Sequence, residues 1–188
     1  MKRIMIASPL FNEKERQLNK EIETEIKSNG LETYLPQRDG FLLQELVLEL
    51  INLGIQKDEA ARVANRTIFL IDAYNAYKLC DGAVVNLNGR VPDEGALVEG
   101  TLAFCAQKPL VFYKNDSRTL IAGQDNPMIL GLAPVVSDIK QIVPTLLDLE
   151  KQEPYFARML LEGRKIAKAY AGKNLAQVAN FLTQQKIK

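Results

Sequence analysis

The chain contains no histidine. Its absence rules out a Ser-His-Asp triad, a Cys-His pair and a His-ligated zinc site. Acid–base or nucleophilic chemistry must then come from carboxylates, Lys, Tyr, Cys or Ser. There are only two cysteines, Cys80 and Cys105, both in apolar surroundings. They form no disulfide framework and read as reduced core thiols, which fits a cytoplasmic protein. No stretch approaches about 18 uncharged apolar residues, so no membrane span is expected. Neither G-x-G-x-x-G nor G-x-x-x-x-G-K-[ST] occurs. The standard dinucleotide and P-loop phosphate cradles are therefore missing, and no cofactor or metal is expected. Lys and Arg (24) balance Asp and Glu (23) to a net charge of +1, which argues against a nucleic-acid binder.

The 188 residues are 47% hydrophobic and 25% charged, as expected of one globular domain with a helical extension. Charge is uneven: residues 151–188 carry eight Lys/Arg against two Asp/Glu. A solvated basic face on terminal helices is the plainer account of this than an anion-binding surface. The start, Met1-Lys2-Arg3 and then Ile4 to Phe11, lacks a small-x-small cleavage site, and Glu13-Lys14-Glu15-Arg16 follows. It reads as a first strand, not a signal peptide.

Short apolar runs alternate with helical patterns. Strands are expected at Ile4–Ala7, Leu31–Leu35, Gly82–Leu87, Pro109–Tyr113 and Val135–Val136. Helices are expected over 12–28, 41–53, 58–79, 95–106, 139–150, 155–171 and 174–185, with an irregular connection over 115–133. This pattern predicts an α/β fold, an open parallel sheet of about five strands flanked by helices, over residues 1–138. Residues 139–188 read as a C-terminal helical extension packed on the same domain. The 41–53 helix is apolar far round its circumference, which suggests burial on two sides. Ligands of such sheets bind at the carboxyl ends of the strands, which directs attention to segments 8–11, 36–40, 88–99 and 114–128.

From Gly95 through Gln107 the only charged residue is Glu99, flanked by Val98, Leu102, Ala103 and Phe104. A helix this apolar should be largely buried, and a carboxylate on it is either paired with a cation or solvent gap, or kept for chemistry. Gly100 in mid-helix suggests that something approaches the backbone closely. Asp93 reads equally as the N-cap of this helix, in Pro92-Asp93-Glu94-Gly95. Asp72 is a second isolated acid among apolar neighbours, with a buried ion pair as the alternative. Asp81 reads as a turn or cap residue, and Tyr74, Tyr77 and Tyr113 as core or edge aromatics.

Several segments taken in order carry a resemblance. They are Ala7-Ser8-Pro9-Leu10-Phe11, Tyr34-Leu35-Pro36-Gln37-Arg38-Asp39-Gly40, Asp72, Cys80-Asp81-Gly82-Ala83-Val84-Val85, Pro92-Asp93-Glu94-Gly95 with Glu99, Lys108-Pro109, and Asn126-Pro127-Met128. Together they resemble the nucleoside 2-deoxyribosyltransferase family over roughly residues 4–131. The resemblance implies a flavodoxin-like sheet and a carboxylate nucleophile at Glu99. It also implies Asp72 near the base, aided by Asp39, and Asp93 and Asn126 near the sugar 5′-hydroxyl. Phe11 and Gln37 to Gly40 would lie near the nucleobase. Asn126 and Met128 would serve a neighbouring subunit's site, so a homodimer or higher homo-oligomer is implied. The substrates implied are a deoxyribonucleoside and a free nucleobase. Hydrolysis of nucleosides or nucleotides on the same scaffold, and nucleoside binding without catalysis, are the alternatives. Two positions depart from the family pattern: Met5 stands where the first strand commonly carries a Tyr, and Gly100 follows Glu99 directly rather than one residue later.

Overall fold

The computed structural model describes residues 1–89, 91–116, 124–172 and 174–185. Among these, five parallel strands form one sheet in the order β2-β1-β3-β4-β5. They are β1 (Arg3–Ala7), β2 (Glu32–Tyr34), β3 (Gly82–Asn86), β4 (Leu110–Tyr113) and β5 (Val135–Val136). This is the α/β sheet expected from the alternating pattern. The strand order reverses between β1 and β3, which opens a crevice at their carboxyl ends.

Strand alternation divides the core between the two faces. Ile4, Ile6, Val84, Val111 and Tyr113 join Ile22 and Ile26 of α1 (Glu13–Ser28) and Ile142, Val143 and Leu146 of α7 (Ile142–Glu150). Each fully buried aliphatic side chain here contributes roughly 1.5–3 kcal/mol. Helix α1 starts at a capping box: Asn12 accepts from the Glu15 N–H, and Glu15 reaches back to the Asn12 N–H. The alternate strand residues, Met5, Ala83, Val85 and Phe112, are also fully buried and face the other side of the sheet.

On that side lie α4 (Lys57–Tyr74) and α5 (Glu94–Cys105). Between β2 and α4 the chain makes α2 (Pro36–Asp39) and α3 (Leu43–Asn52). The single helix expected over 58–79 is instead α4 followed by a π-helical turn, Asn75–Leu79. Part of the 115–133 connection is also helical: α6 (Pro127–Leu132) is capped by Asn126, with Pro127 suited to its first turn. The rest of that expectation, over 117–123, lies outside the described residues. A 3-10 turn, Ile139–Gln141, leads into α7.

The chain divides into two compact units, Met1–Gln152 and Glu153–Lys188. The second is a helix pair, α8 (Tyr155–Ala169) and α9 (Leu175–Gln185). Among the described residues no helix is long and apolar enough to cross a membrane.

Burial corrects some expectations and meets others. Helix α5 is not buried all round: Ala96, Gly100, Ala103 and Phe104 are buried, whereas Val98 is 51% exposed and Cys105 is exposed. Small residues at 96, 100 and 103 share one stripe, and only that stripe lies on the sheet. Cys80 is a buried thiol as expected, but Cys105 is not. Tyr113 is a core aromatic, while Tyr74 and Tyr77 are half exposed because they lie on the outer side of α4 and the π turn. Helix α3 has no buried residue within this chain.

The close approach expected at Gly100 is present. A Cβ there would lie 2.5 Å from Val85 Cγ2 on β3. Gly100→Ala should therefore lower stability by about 1–2 kcal/mol despite alanine's better helix propensity. Val85→Ala in the same chain should recover part of the loss. Thermal unfolding of both variants checks this; an unchanged midpoint for Gly100→Ala would show that α5 has room to move.

Candidate active site

A cavity of about 320 Å³ opens at the carboxyl ends of β1 and β2, on the α4 and α5 side of the sheet. Glu99, Asp72 and Asp93 line it together with Ser8, Gln37 and Phe41. Three carboxyls from two separate helices thus meet in one hollow. Helix α5 supplies Glu99 one residue before the Gly100 contact, so the approach of α5 to β3 sets the depth of Glu99. Helix α4 supplies Asp72 near its C-terminal end, and Asp93 sits at the N-terminus of α5.

Asp93 is the N-cap of α5, as one of its two readings expects. One oxygen caps α5 by accepting from the Gly95 N–H at 3.1 Å, and the residue also lines the cavity. Asp72 accepts a 2.7 Å hydrogen bond from the Tyr34 hydroxyl. Burial pushes its carboxyl above the ordinary value, and the Tyr34 hydrogen bond partly restores it. Glu99 is the most perturbed of the three. Burial, then the neighbouring Asp72 and Asp93, push its carboxyl up to about 8. Among the described residues no cation offsets it: the groups acting on it are burial and two like charges. A paired structural glutamate would shift the other way.

The remaining candidates are placed differently. Gln37 lines the cavity with its amide clamped: Oε1 accepts from Asn19 Nδ2 at 3.0 Å, and Nε2 donates to the Arg16 carbonyl at 3.3 Å. Phe11 lines the rim and is 76% exposed. Asp39 is not among the lining residues. It accepts from the Arg38 guanidinium at 2.6 and 2.7 Å and from the Leu35 N–H at 2.9 Å. Burial opposes its charge, but these donors outweigh it and hold the carboxyl below the usual range. Asn126 and Met128 do not reach the cavity within this chain. Asn126 caps α6 through the Met128 N–H at 2.9 Å, and Met128 is 73% exposed. Met5 is fully buried on β1 and pairs in register with Tyr34 of β2.

Two supporting groups went unrecognised in the sequence. Asn19 is buried and linked to Ser8, the Pro9 carbonyl and Gln37, while Asn86 Nδ2 donates to Ser8 Oγ at 3.1 Å. The signal was available: Asn19 lies on the same α1 stripe as Ile22 and Ile26, where a polar residue needs partners. Tyr34 is the other. A wider groove of about 660 Å³ lies along α1, but Glu15 there is committed to the capping box. Among the described residues no group of three acidic or cysteine side chains could hold a metal ion.

The sequence matches the family model for nucleoside 2-deoxyribosyltransferase over residues 4–175. The chain belongs to this family. A search of curated proteins gives no match. Among solved structures, a conserved protein from Enterococcus faecalis V583 shares the fold. Its TM-score is 0.59 at 23% identity, covering 79% of this chain and 98% of that one. A 2-deoxyribosyltransferase from Bacillus psychrosaccharolyticus aligns with a TM-score of 0.49 at 15% identity, over 74% of this chain and 89% of that one. A CMP N-glycosidase from Clostridium botulinum, BcmB, aligns at 0.43 and 16%, over 79% and 99%. The last two likenesses are too distant to assign an activity. Membership of the nucleoside 2-deoxyribosyltransferase family places the chain among nucleoside-modifying enzymes.

The raised Glu99 carboxyl has a consequence for stability. Between pH 4.5, the ordinary value, and about 8, the folded chain holds a proton that the unfolded chain has released. Stability contributed by this group therefore falls as pH rises through that window. Glu99→Gln carries no such charge. Its melting temperature should rise relative to the native chain as pH goes from about 5 to 8.5, by roughly 5 °C or more. A melting difference that stays constant with pH would show that Glu99 ionises normally.

Proposed function

We propose that the protein exchanges the nucleobase of 2′-deoxyribonucleosides through a covalent deoxyribosyl–Glu99 intermediate. The observation that carries this reading is a buried cavity carboxyl, Glu99, beside two further carboxyls, Asp72 and Asp93. In the first half-reaction a Glu99 oxygen bonds to C1′ as the C1′–N bond breaks. The bond's electrons leave with the base, which takes a proton from Asp72. In the second half, the incoming base gives its N–H proton to Asp72 as its nitrogen bonds to C1′, and the ester electrons return to Glu99. This is retaining, ping-pong chemistry of the glycosidase type, and it needs no imidazole.

Asp93 holds the sugar 5′-hydroxyl in this reading. An acid there suits a neutral hydroxyl and repels a phosphate, which favours nucleosides over nucleotides. Gln37, locked by Asn19, and Phe11 flank the nucleobase. Asn126 and Met128 act on the cavity of a second copy, because neither reaches the cavity of its own chain. A homodimer or larger homo-oligomer would also cover exposed apolar groups such as Leu48, Leu53, Phe69 and Met128. The free thiols fit a cytoplasmic setting.

The hydrolase reading keeps the first half-reaction and replaces the incoming base by water. The open rim favours it for an isolated chain: Phe11 is 76% exposed, so a single copy does little to exclude water.

Incubation of deoxyinosine with adenine, followed by chromatography, tests both. Deoxyadenosine and hypoxanthine should appear together, and Glu99→Ala should lower turnover by about 10³-fold or more and abolish covalent labelling. Free deoxyribose as the main product would favour hydrolysis, and full activity in Glu99→Ala would remove the central assignment. The pH profile offers a second check. The reactive state needs a proton on Asp72 and charge on Glu99, so the pair must hold one proton. Turnover should be bell-shaped, with its upper limb near the Glu99 value of about 8 and its lower limb above the ordinary carboxylate range. A flat profile from pH about 5 to 9 would count against the pair.

A further inference from the structure

Tyr34 is 2% exposed at the carboxyl end of β2, and its hydroxyl meets the cavity-lining Asp72, 38 residues further along the chain. The contact is specific. The phenol donates at 2.7 Å to Asp72 Oδ1, while no hydrogen bond to Oδ2 occurs among the described residues. The ring is held from two sides. Fully buried Met5 is its register neighbour on β1, and the Arg3 guanidinium lies 5.4 Å from the ring centroid. A ring wedged in this way has one position for its oxygen, so Oδ1 has a fixed donor and Asp72 a fixed rotation.

We propose that Tyr34 is a positioning residue that holds Asp72 by Oδ1 and thereby directs the exchangeable proton to Oδ2, the oxygen left for the nucleobase. The proposal rests on the reading of Asp72 as proton donor. A carboxylic acid whose carbonyl oxygen accepts a hydrogen bond is a stronger acid, so the same contact that orients Asp72 helps it release its proton to the leaving base. Tyr34 itself does not exchange that proton. Burial, then the hydrogen bond to Asp72 and the charges of Asp72, Glu99 and Asp39, push the phenol well above its ordinary value. It remains a donor through both half-reactions. The charged groups facing this contact are Glu99 from α5, Asp39 from α2 and Arg3 from β1. Arg38 offsets the charge of Asp39.

Tyr34→Phe in the full chain removes one hydroxyl and keeps the ring. With carboxyl-labelled aspartate, and Asp72→Asn for assignment, nuclear magnetic resonance reads the Asp72 titration directly. In Tyr34→Phe, Asp72 should titrate at higher pH, and the lower limb of the transfer profile should move up by the same amount. The kcat for deoxyinosine-to-adenine exchange should fall about tenfold or more, with KM changed much less. As a measurement that needs no ring variant, the phenolate difference spectrum of Asp72→Asn should show one tyrosine ionising at lower pH than in the native chain. An unshifted Asp72 titration in Tyr34→Phe, or an unmoved tyrosine in Asp72→Asn, overturns the proposal. A native chain that neither transfers nor hydrolyses overturns the functional reading instead, and the two titrations still decide whether Tyr34 governs Asp72.

Discussion

The site depends on one unfavourable arrangement: the Glu99 carboxyl lies in a poorly solvated hollow beside two other carboxyls, with no offsetting cation among the described residues. Left alone, such a group takes up a proton. Its cost is tolerated because the sheet and helices around it are well packed and hold it there. Strain of this kind is common where charge must appear during a reaction and not before it. In the proposed exchange an oxocarbenium-like sugar brings positive charge beside this carboxylate, so under that reading the group is poorly matched to the free protein and better matched to the transition state.

The surrounding groups divide their capacity between structure and site. Asp93 spends one oxygen on the helix cap. Tyr34 fills a wedge between strand and cation while holding Asp72. Gln37 is fastened through Asn19 to Ser8 and Asn86, so a cavity side chain is tied into the carboxyl ends of β1 and β3. Orientation at this site is set by buried polar contacts and not by loop conformation.

The sheet was legible because each strand is a short, wholly apolar run between turn signals, and parallel strands buried on both faces require that. Glu99 was legible for the converse reason, as the only charge in the apolar run from Gly95 to Gln107. What the sequence concealed was mostly partnership. Nothing local tells Asp39, which is held by Arg38 and Leu35, from Asp72, which meets a phenol 38 residues away. The exposure of Cys105 was hidden too, because α5 is apolar all round and its buried stripe is chosen by small residues at 96, 100 and 103. The break at Asn75 likewise follows from tertiary packing, since the helical pattern runs unbroken through it.

The contact between Gly100 and Val85 divides the cavity into parts with different freedom to vary. Helix α5, which brings Ala96 and Glu99 to the cavity, is seated at Gly100 on a strand with no room for even a methyl group. The rim is built from Phe11, Phe41 and Leu42, all more than half exposed and free of such close packing. Changes in what the cavity accepts should therefore accumulate at the rim, while the α5 wall stays fixed. The molecule is in this sense a rigid die with an interchangeable collar.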